Sequence, residues 1–148
     1  MKNLKQLQKL LPLTVELKKD RVIIIDQVYL PDKLKFIQLK KYSQAILAIK
    51  EFNVRGAQAI GAVGGAGVFL ASLAYKKSNP FDFLNYLKKI AQEIIKARPT
   101  ANNLSWAVNK ILSEINSNTV SGIKKDIYNS YKKLLESEVN NNLKIGTY

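Results

Sequence analysis

Gly56-Ala57-Gln58-Ala59-Ile60-Gly61-Ala62-Val63-Gly64-Gly65-Ala66-Gly67-Val68-Phe69-Leu70-Ala71-Ser72-Leu73-Ala74-Tyr75 contains the longest apolar stretch of this 148-residue chain and five of its seven glycines. Only Gln58 and Ser72 interrupt it. The Gly61 to Gly65 spacing and the alanines around it predict a helix with a side-chain-poor face on which another backbone can lie close. So many glycines lower both hydrophobicity and helix propensity, so the stretch reads as a buried core helix and not as a membrane span.

Helical spacing continues on both sides. Upstream, Ser43 reads as an N-cap, and Ile46, Ile49 and Phe52, with Ala45 and Ala48, form one apolar face ending near Asn53. Downstream, after Ser78-Asn79-Pro80, the residues Leu84, Leu87, Ala91, Ile94 and Ile95 mark an amphipathic helix that stops at Arg98-Pro99, because proline disfavours helical geometry in the residue before it. A further helix starts at Asn102 or Asn103 and buries Leu104, Ala107, Val108, Ile111, Leu112 and Ile115. The last runs from about Thr119 towards Asn140, with Ile123, Ile127, Leu134, Leu135 and Val139 inward. Near the amino terminus, residues 14–17 and 22–26 are β-rich and flank Lys18-Lys19-Asp20-Arg21, which reads as a hairpin; a third strand is expected over 34–40. The expected fold is α+β: a small three-stranded antiparallel sheet followed by a bundle of about five helices. The expected partition is an extension over 1–12, a sheet region over 13–41 and a helical domain over 42–148.

Length and a 47% hydrophobic content support a folded core. The chain has neither cysteine nor histidine, which excludes disulfides, thiol nucleophiles, imidazole bases and the usual zinc sets. No cofactor and no metal site is expected. Asp26 and Asp32 do not form a metal-binding spacing, and Asp26-Gln27 at a strand end reads as a turn or an internal hydrogen bond. The net charge of +13 would attract polyanions. Its lysines, however, are spread in pairs such as Lys40-Lys41, Lys88-Lys89 and Lys132-Lys133, with no arginine stripe or interleaved aromatics, so a solvated surface is expected and no specific nucleic acid. No apolar core or small-residue cleavage site follows the basic residues 2–9, so a cytoplasmic chain with no membrane partner is expected.

Only three arginines occur. Two of them open the most motif-like stretches, Val54-Arg55-Gly56-Ala57-Gln58-Ala59-Ile60-Gly61 and Ala97-Arg98-Pro99-Thr100-Ala101-Asn102-Asn103-Leu104. Arginine differs from lysine where a planar fork must grip a phosphate or carboxylate by two parallel hydrogen bonds. At Arg55-Gly56-Ala57 a helix amino terminus would present free N–H groups, small residues would let an anion reach the backbone, and an arginine would stand beside it. The same residues also fit a structural role in which Gly56 turns the chain and Arg55 pairs with Glu51. Arg98 would be held at a helix junction, with Thr100 or Asn102 capping the next helix, and Asn103 is a further capping candidate. Trp106 stands off the apolar stripe of its helix and reads as an interdomain or subunit contact.

These two motifs, in this order and at this separation, with Asp26-Gln27 and Leu30-Pro31 before them, resemble the amino-terminal domain of the 5-methylthioribose-1-phosphate isomerase family. That family is related to ribose-1,5-bisphosphate isomerases and to regulatory subunits of translation initiation factor 2B. The resemblance covers the chain from about Thr14. It implies an aldose–ketose isomerisation in methionine salvage, a route of amino-acid biosynthesis. Arg55, Gly56 and Ala57 would hold the substrate phosphate, and Arg98 would contact the same ligand. It also implies that the catalytic cysteine and aspartate lie in a carboxy-terminal nucleotide-fold-like domain, absent from this chain, so that no catalytic residue is assigned here and the chain alone is expected to be inactive.

Three departures stand out. Gln58 replaces a usual proline, which leaves the first helical turn less fixed. Asn102 replaces a usual valine, and Ser105 a larger residue. The partners implied are a sugar phosphate, the missing domain in cis or in trans (a truncated or split chain), and a second copy in the complete protein. The alternatives are a ribose-1,5-bisphosphate isomerase fragment, and a non-catalytic regulatory or interaction module like the initiation-factor relatives.

Overall fold

β-Branched residues dominate the first described segments, and they pair as strands. The computed structural model describes residues 15–146, with strands β1 (Val15–Leu17), β2 (Val22–Ile25) and β3 (Phe36–Leu39). They form one antiparallel sheet in the order β1-β2-β3. Leu17 lies opposite Val22, and the Lys18 N–H donates to the Arg21 carbonyl at 2.9 Å, which closes the expected hairpin. Val22, Ile24 and Leu39 are fully buried and join the same core as the helices. The expected extension over 1–12, the strand start at Thr14 and the side chain of Val139 lie outside the described residues.

Five helices follow: α1 (Tyr42–Lys50), α2 (Ala57–Ala74), α3 (Pro80–Lys96), α4 (Asn102–Ser113) and α5 (Val120–Gly146). The glycine-rich helix α2 is the axis, packed by α1, α3, α4 and α5. By length and composition it could cross a membrane, but 72% of it is buried inside the fold. Each glycine makes room for a different neighbour. A Cβ on Gly61 would meet the Asn103 carbonyl at 3.0 Å, on Gly65 the Tyr131 ring at 2.8 Å, and on Gly67 the Ile94 side chain at 2.7 Å; on Gly64 it would strike Leu104. A helix surrounded on all sides must be thin along several lines, which explains why glycine and not only alanine recurs here.

Several boundaries differ from expectation. Helix α1 begins one residue before Ser43, which does not cap it; instead the Gln44 side chain accepts the N–H groups of Lys40 and Lys41 at 2.7 and 3.0 Å. Helix α1 also ends earlier than expected, so Phe52 leaves its apolar face. Helix α3 starts at Pro80, the last residue of the expected break, with the Asn79 side chain accepting from the Phe81 and Asp82 N–H groups. Helix α5 is longer than expected, and Thr119 Oγ1 accepts from Gly122 N at its start.

Candidate functional site

The loop between α1 and α2 carries Arg55 and Gly56, and it is pinned from behind by the end of β2. Asp26 is buried; its Oδ1 accepts from the Val28 N–H at 3.2 Å and from the Asn53 side-chain amide at 3.1 Å. The Gln27 N–H donates to the Asn53 carbonyl at 2.8 Å, and the Gln27 side-chain oxygen accepts from the Arg55 N–H. Asp26 is thus satisfied by internal hydrogen bonds, as its position at a strand end predicts. The role of Gln27 and Asn53 in fixing the loop carries no sequence signal, because it depends on contacts across 26 residues or more.

Gly56 occupies the N-cap of α2 at φ 89°, a conformation that side-chain-bearing residues rarely adopt. No side chain caps this helix; its first internal bond runs from Ile60 N to the Gly56 carbonyl at 3.0 Å. The N–H groups of Ala57, Gln58 and Ala59 therefore precede the intrahelical ladder and carry the positive end of the helix dipole. Arg55, Gly56, Ala57 and Gln58 are all exposed. Among the described residues, Arg55 forms no ion pair, so the expected alternative of a pair with Glu51 is not seen.

Helix α4 starts beside it. The contact of Gly61 with the Asn103 carbonyl puts the first turns of α2 and α4 together. The N-cap of α4 is Ala101, again without a side-chain cap, so neither Thr100 nor Asn102 caps this helix as expected. Asn102 and Asn103 instead form its first turn and leave their own N–H groups outside the ladder.

Arg98 is brought to the same end. Its guanidinium carbon lies 4.0 Å from the centre of the Phe52 ring, three residues before Arg55. Its Nη2 is buried and has no hydrogen-bond partner among the described residues. A buried guanidinium nitrogen with an unused donor is a place where an anionic oxygen would be stabilised. An open groove of about 430 Å³ adjoins the ends of α2 and α4, lined by Gln58, Gly61, Asn103, Trp106, Lys110 and Glu114 among others; neither arginine lines it. Trp106 is 60% exposed on its wall. Among the described residues no group of three or more acidic, histidine or cysteine side chains is placed to hold a metal.

Residues 53–148 match the Initiation factor 2 subunit family. The chain is similar to a protein described as a putative methylthioribose-1-phosphate isomerase of Pyrococcus horikoshii, 39% identical over 97% of this chain and 40% of the relative. It is also similar to a methylthioribose-1-phosphate isomerase of Acetivibrio thermocellus, 37% identical over 84% of this chain and 37% of that protein. Among solved structures, 5-methylthioribose 1-phosphate isomerase from Pyrococcus horikoshii OT3 superposes with a TM-score of 0.86 at 36% identity, over 93% of this chain and 40% of the other. Subunit delta of translation initiation factor eIF-2B from A. fulgidus gives 0.80 at 30% identity, over 85% and 37%. The chain thus spans about two-fifths of the length of the curated relatives it matches.

Proposed function

The chain belongs to the Initiation factor 2 subunit family, and from that premise we propose that it is the amino-terminal, phosphate-binding part of an aldose–ketose isomerase acting on 5-methylthioribose 1-phosphate. The observation that carries this reading is the buried, unpartnered Nη2 of Arg98 beside the loop that opens an uncapped helix. The Arg55 and Arg98 guanidinium groups and the amides of Gly56 and Ala57 form the anion cradle. Their charge and geometry orient the sugar through its phosphate and leave the proton transfer between neighbouring sugar carbons to other groups. Those groups belong to a second domain, supplied in cis or in trans, since this chain has no cysteine. Residues 13–41 and 42–148 act as sheet support and helical binding domain, Trp106 faces the second domain, and the complete protein is a cytoplasmic homodimer in methionine salvage.

Calorimetric titration of the chain with 5-methylthioribose 1-phosphate, repeated on Arg55→Lys and Arg98→Lys, tests the cradle. Loss of a charge-assisted fork should weaken binding by about tenfold or more in each variant. Equal affinity in all three proteins would remove the assignment, and isomerase turnover by the chain with no partner would contradict the division of labour. A second reading, a non-catalytic interaction module, is favoured by the similarity to the initiation-factor subunit and by Gln58. It predicts no sugar-phosphate binding by the parent chain.

A further inference from the structure

Phe52 has a conformation that its side chain does not favour. Helix α1 ends in a Schellman turn, with the Asn53 N–H donating to the Ala48 carbonyl at 3.0 Å, and Phe52 is the left-handed residue of that turn at φ 62°. Glycine is the usual occupant there, and a bulky side chain is strained. Burial does not offset the strain, because Phe52 is 54% exposed. The guanidinium of Arg98 lies over the face of its ring.

We propose that Phe52 is a positioning residue for anion binding: its ring holds the guanidinium of Arg98 flat against the loop that begins α2 and leaves the edge donors free for a phosphate. This rests on the phosphate-binding reading above. The chemistry explains the choice of side chain. A carboxylate at position 52 would take the in-plane N–H donors for itself, whereas an aromatic face attracts the cation through its π-cloud and uses none of them. The buried Nη2 without a partner is what such an arrangement leaves behind. The left-handed backbone turns the ring away from the apolar face of α1 and towards the α3–α4 junction, where Arg98 sits. Strained residues that the surrounding structure holds in place recur at ligand sites.

The test is titration of the 148-residue chain with inorganic phosphate, followed calorimetrically, with Phe52→Leu, Phe52→Tyr, Arg98→Ala and the double variant Phe52→Leu/Arg98→Ala. Phe52→Leu should weaken phosphate binding by about tenfold, within the range of one partly desolvated cation–π contact. Phe52→Tyr, which keeps the aromatic face, should bind like the parent. In the Arg98→Ala background, Phe52→Leu should have no further effect. Parent-like binding by Phe52→Leu, or an equal loss in both backgrounds, would overturn the positioning role and leave the cradle standing. Absence of phosphate binding by the parent would overturn the cradle itself, and with it this role.

Discussion

Replacing Gly65 by alanine should destabilise the fold although it improves the intrinsic helix propensity of α2. The new Cβ would lie 2.8 Å from two carbons of the Tyr131 ring and 3.0 Å from the Ile111 side chain. For ordinary contact the ring must retreat by about 0.6 Å. It is poorly placed to do so. Tyr131 is fully buried, its hydroxyl donates to the Ala62 carbonyl at 2.7 Å, and its ring stacks on Phe69 at 6.1 Å. Overpacking costs about 1–3 kcal/mol. Stretching the hydroxyl bond adds up to about 1 kcal/mol, and exchanging glycine for alanine in a helix returns about 1 kcal/mol. The net loss is about 2 kcal/mol, a fall of about 4–8 °C in Tm for a chain of this size. Thermal and urea melts followed by circular dichroism measure it. Gly64→Ala is the comparison, because the atom struck there is the terminal Cδ1 of Leu104, the end of a side chain that no hydrogen bond holds in place, although Leu104 is itself buried. Its Tm should fall less. A Gly65→Ala melt at or above the parent, or the opposite order of the two variants, would refute the account of why α2 is rich in glycine.

Three further outcomes follow from the site and its supports. Gly56→Ala meets no atom within 4 Å but must hold an alanine at φ 89° and ψ 141°, so urea denaturation should show a loss of about 1–3 kcal/mol. Asp26→Ala orphans the Val28 N–H and the Asn53 amide and should cost about 1–3 kcal/mol while also weakening phosphate binding, read by melts and titration together. The third concerns acid. Hydrogen bonds from Ser117 and Asn116 to Asp126 hold its carboxyl below the usual carboxylate range. A carboxyl whose folded pKa lies below its unfolded one stabilises fully above the unfolded value of about 3.9 and loses that contribution as pH falls through the folded value. Parent and Asp126→Asn should therefore differ in stability at neutral pH and converge on acidification below about pH 4 in pH-dependent melts; a constant difference down to acid would exclude the effect.

Local patterning made much of the fold legible. The hairpin turn at Lys18-Lys19-Asp20-Arg21, the start of α3 at Asn79-Pro80 and the stops on either side of Arg98-Pro99 all depend on neighbours a few residues away. So does the presence of α2, since a long apolar run is helical or buried whatever surrounds it. The candidate residues Arg55, Gly56, Ala57 and Arg98 were legible as motifs because arginine is scarce and its fork is distinctive. The N-caps were less so: Ser43, Thr100 and Asn102 have suitable side chains, but a Gln44 amide serves α1 and no side chain serves α4.

By itself, then, the sequence determined the order and type of the elements and the class of ligand worth testing, because periodicity, turn chemistry and charge act at short range. Only the tertiary structure decided how these parts meet. It turned Phe52 off its helix to carry Arg98, tied Asn53 and Arg55 to Asp26 and Gln27, and gave each glycine of α2 a separate neighbour. Those are contacts between residues far apart in the chain, and they come into being only when five helices share one core.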